Sequence, residues 1–197
     1  MTRRIGIMGG TFDPIHTGHL IVAERARETG GFDEIWFIPS HQPPHKPPLQ
    51  GATPADRVKM VEAAIRGNPY FRLERLEINR GGVSYTIDTV IELKRKYPDD
   101  QFVWIIGADM VQYLTYWHRM DEIAEHIEFL GVARPGYNFK QAELPASVRG
   151  RISFADMPEL NISSTEIRDR IRKGLSVRYM LPDQVRILIE ENRLYES

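Results

Sequence analysis

Two histidines, His16 and His19, stand three residues apart in the stretch Gly9-Gly10-Thr11-Phe12-Asp13-Pro14-Ile15-His16-Thr17-Gly18-His19-Leu20. An apolar run, Ile5 to Met8, precedes the stretch, and Leu20 to Ala23 opens an apolar segment after it. That order predicts a strand, a tight loop and a helix. Three residues at a helix start are nearly one turn, so both imidazoles can point the same way. The helix start offers free N–H groups and a partial positive charge, and the glycines let a backbone approach a ligand closely. Together these features describe a seat for phosphates.

A second seat is written into residues 161–171, NISSTEIRDRI. Ser163 followed by Glu166 has the spacing of a capping box. On the predicted helix, Ile167 and Ile171 share a core-facing side, while Thr165, Arg168 and Arg172 fall on a neighbouring one. Hydroxyls, free N–H groups and a guanidinium then converge at one helix N-terminus. Between the two seats lies a proline-rich loop, SHQPPHKPP over residues 40–48, which carries His45 and Lys46. It reads either as a solvated linker or as a semi-rigid arm that brings Lys46 to a polyphosphate.

Other chemistries fit poorly. No nucleophile stands beside a base. His16, His19 and Glu24 do not form the HExxH zinc pattern. GGTFDP is not GxGxxG, and no acidic residue ends the second predicted strand, which argues against dinucleotide oxidoreduction. The chain has 197 residues and no cysteine, excluding disulfides and thiolate catalysis. Its 26 lysines and arginines balance 27 acidic residues, a net charge of −1, so nothing favours nucleic acid as a partner. No apolar run reaches membrane-spanning length and Met1 to Arg4 is no signal peptide, so a cytoplasmic protein is expected.

The elements that must position these groups alternate. Strands are expected at Arg4–Met8, Glu34–Pro39, Phe71–Ile78, Phe102–Ile106, Glu128–Ala133 and Ile152–Ala155. Helices are expected over 18–29, from Thr53-Pro54, after Ser84-Tyr85-Thr86, at Asp109, from Ser163 and onwards from Gly174, with Pro182 able to start the last. The alternation predicts an α/β fold: a Rossmann-like parallel sheet with helices on both faces, and a small C-terminal helical extension. A single domain over 1–197 is expected, with about 160–197 as its helical tail. Ligands of such sheets sit at strand carboxyl ends, where the GGTFDPIH loop falls. Gly107 and Asp109 share that end, Asp109 as a helix cap or a ribose-facing group. Trp117, near a strand end, can pack or can stack on a heteroaromatic ring. Arg57, in a first helical turn, reads equally as a solvated charge or a ligand.

His16-Thr17-Gly18-His19 resembles the (H/T)xGH signature of the nucleotidyltransferase superfamily, and Ile162-Ser163-Ser164-Thr165 with Arg168 resembles its ISSTxxR motif. The fuller string, with PPHK, SYTIDTV, GADM and Trp117-His118, is similar to bacterial nicotinate-mononucleotide adenylyltransferases and covers most of the chain. The resemblance implies that ATP and nicotinate mononucleotide give nicotinic acid adenine dinucleotide and pyrophosphate, in NAD biosynthesis, without a covalent intermediate. His16, His19, Lys46 and Arg168 would be catalytic. Gly9, Gly10, Thr11, Phe12, Gly107, Asp109, Ile162, Ser164 and Thr165 would bind ATP. Thr86, through backbone groups around it, and Trp117, as a lid on the nicotinate ring, would bind the acceptor together with Arg134. Mg²⁺ is expected, held by phosphates and water because no carboxylate cluster makes a protein cage. Homo-oligomerisation is left open. Another adenylyltransferase of the superfamily, with nicotinamide mononucleotide or phosphopantetheine as acceptor, and a non-catalytic nucleotide-binding module are the alternatives.

Overall fold

A computed structural model describes residues 2–44, 51–133, 144–158 and 160–196. Its centre is a six-stranded sheet in the order β3-β2-β1-β4-β5-β6. The strands are β1 (Arg4–Gly10), β2 (Glu34–Pro39), β3 (Phe71–Leu73), β4 (Gln101–Gly107), β5 (Glu128–Ala133) and β6 (Ile152–Asp156), and every pairing is parallel. Both faces are covered, so the strands are apolar on both sides. Ile35, Phe37, Val103 and Ile105 face one layer, while Trp36, Ile38, Trp104 and Ile106 face the other.

The first layer holds α1 (Thr17–Gly30), α2 (Pro54–Ile65), α7 (Ser164–Arg172) and α8 (Asp183–Glu191), which bury Ala23, Val61, Ile167 and Val185. The second holds α3 (Leu76–Arg80), α4 (Thr86–Lys96) and α6 (Met120–His126), which bury Leu76, Val90 and Ile123. Between β4 and α6 lie a four-residue helix, α5 (Ala108–Val111), and a 3-10 turn, Leu114–Tyr116. The strand order reverses at β1 and β4, so the crevice opens at the ends of those two strands.

Two expectations need correction, and one helix has no counterpart among the expected elements. The strand expected over Phe71–Ile78 is only β3, because it pairs with β2 at three positions and then leaves the edge. The chain turns into α3 and buries both Leu76 and Glu77, and a window so short does not separate period 2 from period 3.6. Residues 175–181 are not helical; after Gly174, at φ +65°, the chain crosses back before α8 begins at Asp183. Helix α6 was not foreseen at all. It starts at Arg119, whose left-handed backbone leaves no capping signal in the sequence.

Candidate active site

The first seat forms where β1 runs into α1. Gly9 has no room for a side chain, since a Cβ would lie 2.6 Å from the Trp104 ring on β4. Gly18 plays a similar part, since its Cβ would press to 3.0 Å on His16 Nδ1. The two imidazoles lie face to face with centroids 3.7 Å apart, and Phe12 meets His19 edge-on at 5.2 Å. The His16 backbone N–H donates to His19 Nδ1 at 3.2 Å, so the neutral His19 ring carries its proton on Nε2. Burial holds His16 down to about 4, and burial with the neighbouring His16 holds His19 down to about 3. Both rings are therefore neutral N–H donors near pH 7.

The second seat faces the first. Ser163 caps α7 by accepting the Glu166 N–H at 3.1 Å. The Ser164 hydroxyl donates to the Pro14 carbonyl at 2.9 Å, and Arg168 donates to the Asp13 carbonyl at 2.7 Å and to Thr165 Oγ1 at 3.2 Å. Side chains 150 or more residues away thus hold α7 against the histidine loop. Among the described residues no carboxylate pairs with Arg168. Arg172, by contrast, turns to Asp169 and leaves the seat.

Three adjoining hollows open here. One, of about 750 Å³, lies between the seats and is lined by His16, His19, Ser164, Thr165 and Arg168. A second, of about 350 Å³, shares both histidines, Phe12 and Ile162 with it and reaches along Gly107 to Val132 and Met157. The third, of about 240 Å³, shares Gly9 and Gly10 with the second and Thr11 with the largest. It runs to Thr86 at the start of α4, and to Trp117, which meets Trp104 edge-on at 6.1 Å. A mostly preformed concave site with a few aimed polar groups is the usual form of a small-molecule site. Asp109 is placed by its backbone in the first turn of α5, beside Gly107. Lys46, His45 and Arg134 lie outside the described residues.

Other polar groups border the candidate site. Arg57 is no solvated charge: it is fully buried, and donates to the Thr11 carbonyl at 2.7 Å and the His41 carbonyl at 3.0 Å. Its spacing of four and eight residues from Val61 and Ile65 marked the inward face of α2. Glu77 is buried beside the smallest hollow and accepts the Thr89 hydroxyl at 2.7 Å; burial raises its pKa. The Ser84 hydroxyl accepts the His41 N–H at 2.9 Å and ties the proline-rich loop to the turn before α4. Glu24 is taken by Arg27 and Asn68, so it does not join the histidines. Among the described residues no group of three or more histidines and carboxylates could hold a metal.

Opposed anion seats at the reversal point of a parallel sheet, with room for a base on either side, define a nucleotide-handling protein of Rossmann type. Residues 7–170 match the family model described as cytidylyltransferase-like. The nicotinate-nucleotide adenylyltransferase of Bacillus subtilis is 47% identical over 99% of this chain and 100% of its own. A Bacillus pumilus protein named "Probable nicotinate-nucleotide adenylyltransferase" is 51% identical at the same coverage. The structure of Plasmodium falciparum nicotinic acid mononucleotide adenylyltransferase complexed with NaAD shares the fold, with a TM-score of 0.80 at 20% identity over 98% of this chain and 97% of that one. The chain belongs to the cytidylyltransferase-like family and, within it, to the nicotinate-nucleotide adenylyltransferases.

Proposed function

We infer that this protein joins ATP and nicotinate mononucleotide into nicotinic acid adenine dinucleotide, releasing pyrophosphate, as a step of NAD biosynthesis. The observation that carries this reading is the largest hollow, set between neutral imidazoles and an arginine free of any described carboxylate. A phosphate oxygen of the mononucleotide attacks the α-phosphorus of ATP. The bond from that phosphorus to the bridging oxygen breaks, and pyrophosphate leaves with the electron pair. The nucleophile is already anionic, so no protein base is needed. The work is positioning and charge stabilisation.

In this reading His16 and His19 donate to oxygens of the triphosphate, and His19 does so through Nε2–H. Arg168 and Lys46 take up charge on the leaving pyrophosphate. The Ser164 hydroxyl is engaged with Pro14, so Ser164 serves through the helix start it anchors. Gly9 to Phe12, Gly107, Asp109 and Ile162 frame the adenosine side. Thr86, Trp117 and Arg134 frame the acceptor, with Trp117 closing over the pyridine ring. Mg²⁺ would enter on the ATP phosphates and offset their charge. Asp13, which lines the largest hollow, is already occupied by Tyr195 and Ala52, which fits a metal held by phosphates and water.

The test is pyrophosphate release with ATP and Mg²⁺ and, separately, nicotinate mononucleotide, nicotinamide mononucleotide and phosphopantetheine. Release is expected with nicotinate mononucleotide. His19→Ala should lower that turnover by about 10²–10³-fold while mononucleotide binding persists. Preference for another acceptor would overturn the substrate, and silence from folded, ATP-binding protein would overturn the enzyme.

A further inference from the structure

The hydroxyl of Tyr195, beyond the end of α8, donates to Asp13 Oδ1 at 2.7 Å across 182 residues. Tyr195 sits at φ +67°, a backbone conformation that bulky L residues rarely adopt. Its ring packs on the core layer that holds α7 and α8. Asp13 itself is buried in the loop between the glycines and His16. The same Oδ1 accepts the Ala52 N–H at 3.2 Å, and Gly51 lies so close that a Cβ there would be 2.6 Å from Oδ2. Arg57 acts on both this carboxylate and the Tyr195 hydroxyl, and Arg168 acts on the hydroxyl. Arg168 reaches the neutral Asp13 carbonyl at 2.7 Å.

A carboxylate on the residue whose carbonyl already holds a guanidinium is a ready partner for a forked ion pair with it. Among the described residues Asp13 forms no ion pair, and its Oδ1 instead accepts the Tyr195 hydroxyl and the Ala52 N–H. That matters for the proposed reaction, since a paired Arg168 would offer the pyrophosphate a neutralised group. We propose that Tyr195 is a positioning residue for the leaving-group subsite. Its hydroxyl turns the Asp13 carboxylate towards the 51–52 backbone and away from Arg168, so the guanidinium keeps its charge for the departing pyrophosphate. The inference rests on the adenylyl-transfer reading above.

Steady-state kinetics of Tyr195→Phe tests it. Released from its tyrosine, Asp13 competes for Arg168. The kcat/KM for ATP should fall roughly ten- to a hundredfold, the loss expected from one hydrogen bond to a charged group, while the KM for nicotinate mononucleotide stays unchanged. In the reverse direction the KM for pyrophosphate should rise by a similar factor. Adding Asp13→Asn removes the competing charge but keeps an oxygen for the Ala52 N–H, so the double variant should recover activity relative to Tyr195→Phe alone. Unaltered kinetics, an equal rise in both KM values, a loss that tracks a lowered thermal midpoint, or no recovery in the double variant would each overturn the proposal. Wild-type protein in the same assay separates the two claims. A silent wild type refutes adenylyl transfer, whereas an active wild type with an indifferent Tyr195→Phe refutes only the role of Tyr195.

Discussion

At the residue scale the site depends on imidazoles that stay neutral. His16 Nδ1 is buried with no hydrogen-bond partner among the described residues, and the rings crowd face to face, so protonating either is costly. Neutral rings still present N–H donors, which is what phosphate oxygens need. The unfolded chain has no such constraint and takes up protons near the ordinary histidine value of about 6.5. Below that pH the unfolded state binds more protons than the folded one, so stability falls on acidification until the folded rings titrate at about 4 and about 3. Each ring supplies a slope of up to about 1.4 kcal/mol per pH unit. Asp100, held low by its hydrogen bond from Arg3, adds to the loss only as pH falls through the ordinary aspartate value. Glu77, raised by burial, acts in the opposite direction. Urea unfolding between pH 7 and 5 should therefore show stability falling with pH, and His19→Asn should flatten that dependence. Equal slopes in the two proteins would count against the burial of these rings.

At the element scale, neither candidate phosphate seat is built by one element alone. The loop after β1 is braced from behind by Arg57 on α2, which spans the Thr11 and His41 carbonyls and so fixes the start of the proline-rich loop too. Arg57→Met keeps much of the apolar stem but leaves those carbonyls without their charged donor. The expected cost is about 1–3 kcal/mol, read as a lowered thermal midpoint, with KM raised for both substrates because both loops loosen. An unshifted midpoint would show that solvent replaces the guanidinium. This brace was legible in part: helical spacing from Val61 and Ile65 pointed Arg57 inward, but which backbone it would meet was not. Helix α6 and the brevity of β3 were illegible for a different reason, because short edge elements carry too few residues to display a period.

At the scale of the whole molecule, the C-terminal stretch belongs to the main core. Leu181, Val185 and Ile189 are buried in the cluster that also holds Ile35 and Val103 of the sheet. Burying three such side chains contributes about 1.5–3 kcal/mol each, comparable with a typical domain stability of about 5–15 kcal/mol. The tail also touches the first seat directly, since the Met180 carbonyl accepts the Thr17 N–H at 2.9 Å. We therefore expect residues 1–197 to unfold as one domain. Calorimetry should give a single transition whose calorimetric and van't Hoff enthalpies agree. Two resolved transitions would make residues 160–197 a separate unit.

By itself the sequence determined the parallel α/β architecture, because strands buried on both faces and helices with one apolar side are written in local periodicity. It also marked both candidate phosphate seats, because glycines, caps and histidine spacing act within one turn of chain. Only the tertiary structure decided that the two stretches face each other, with Arg168 on the Asp13 carbonyl and Ser164 on that of Pro14. It alone turned Arg57 into a brace, put Glu77 beside a hollow, and brought Tyr195 to Asp13. Those contacts join residues far apart along the chain, and their partners are chosen by how packed layers bring loops together. No local pattern of residue types encodes that choice.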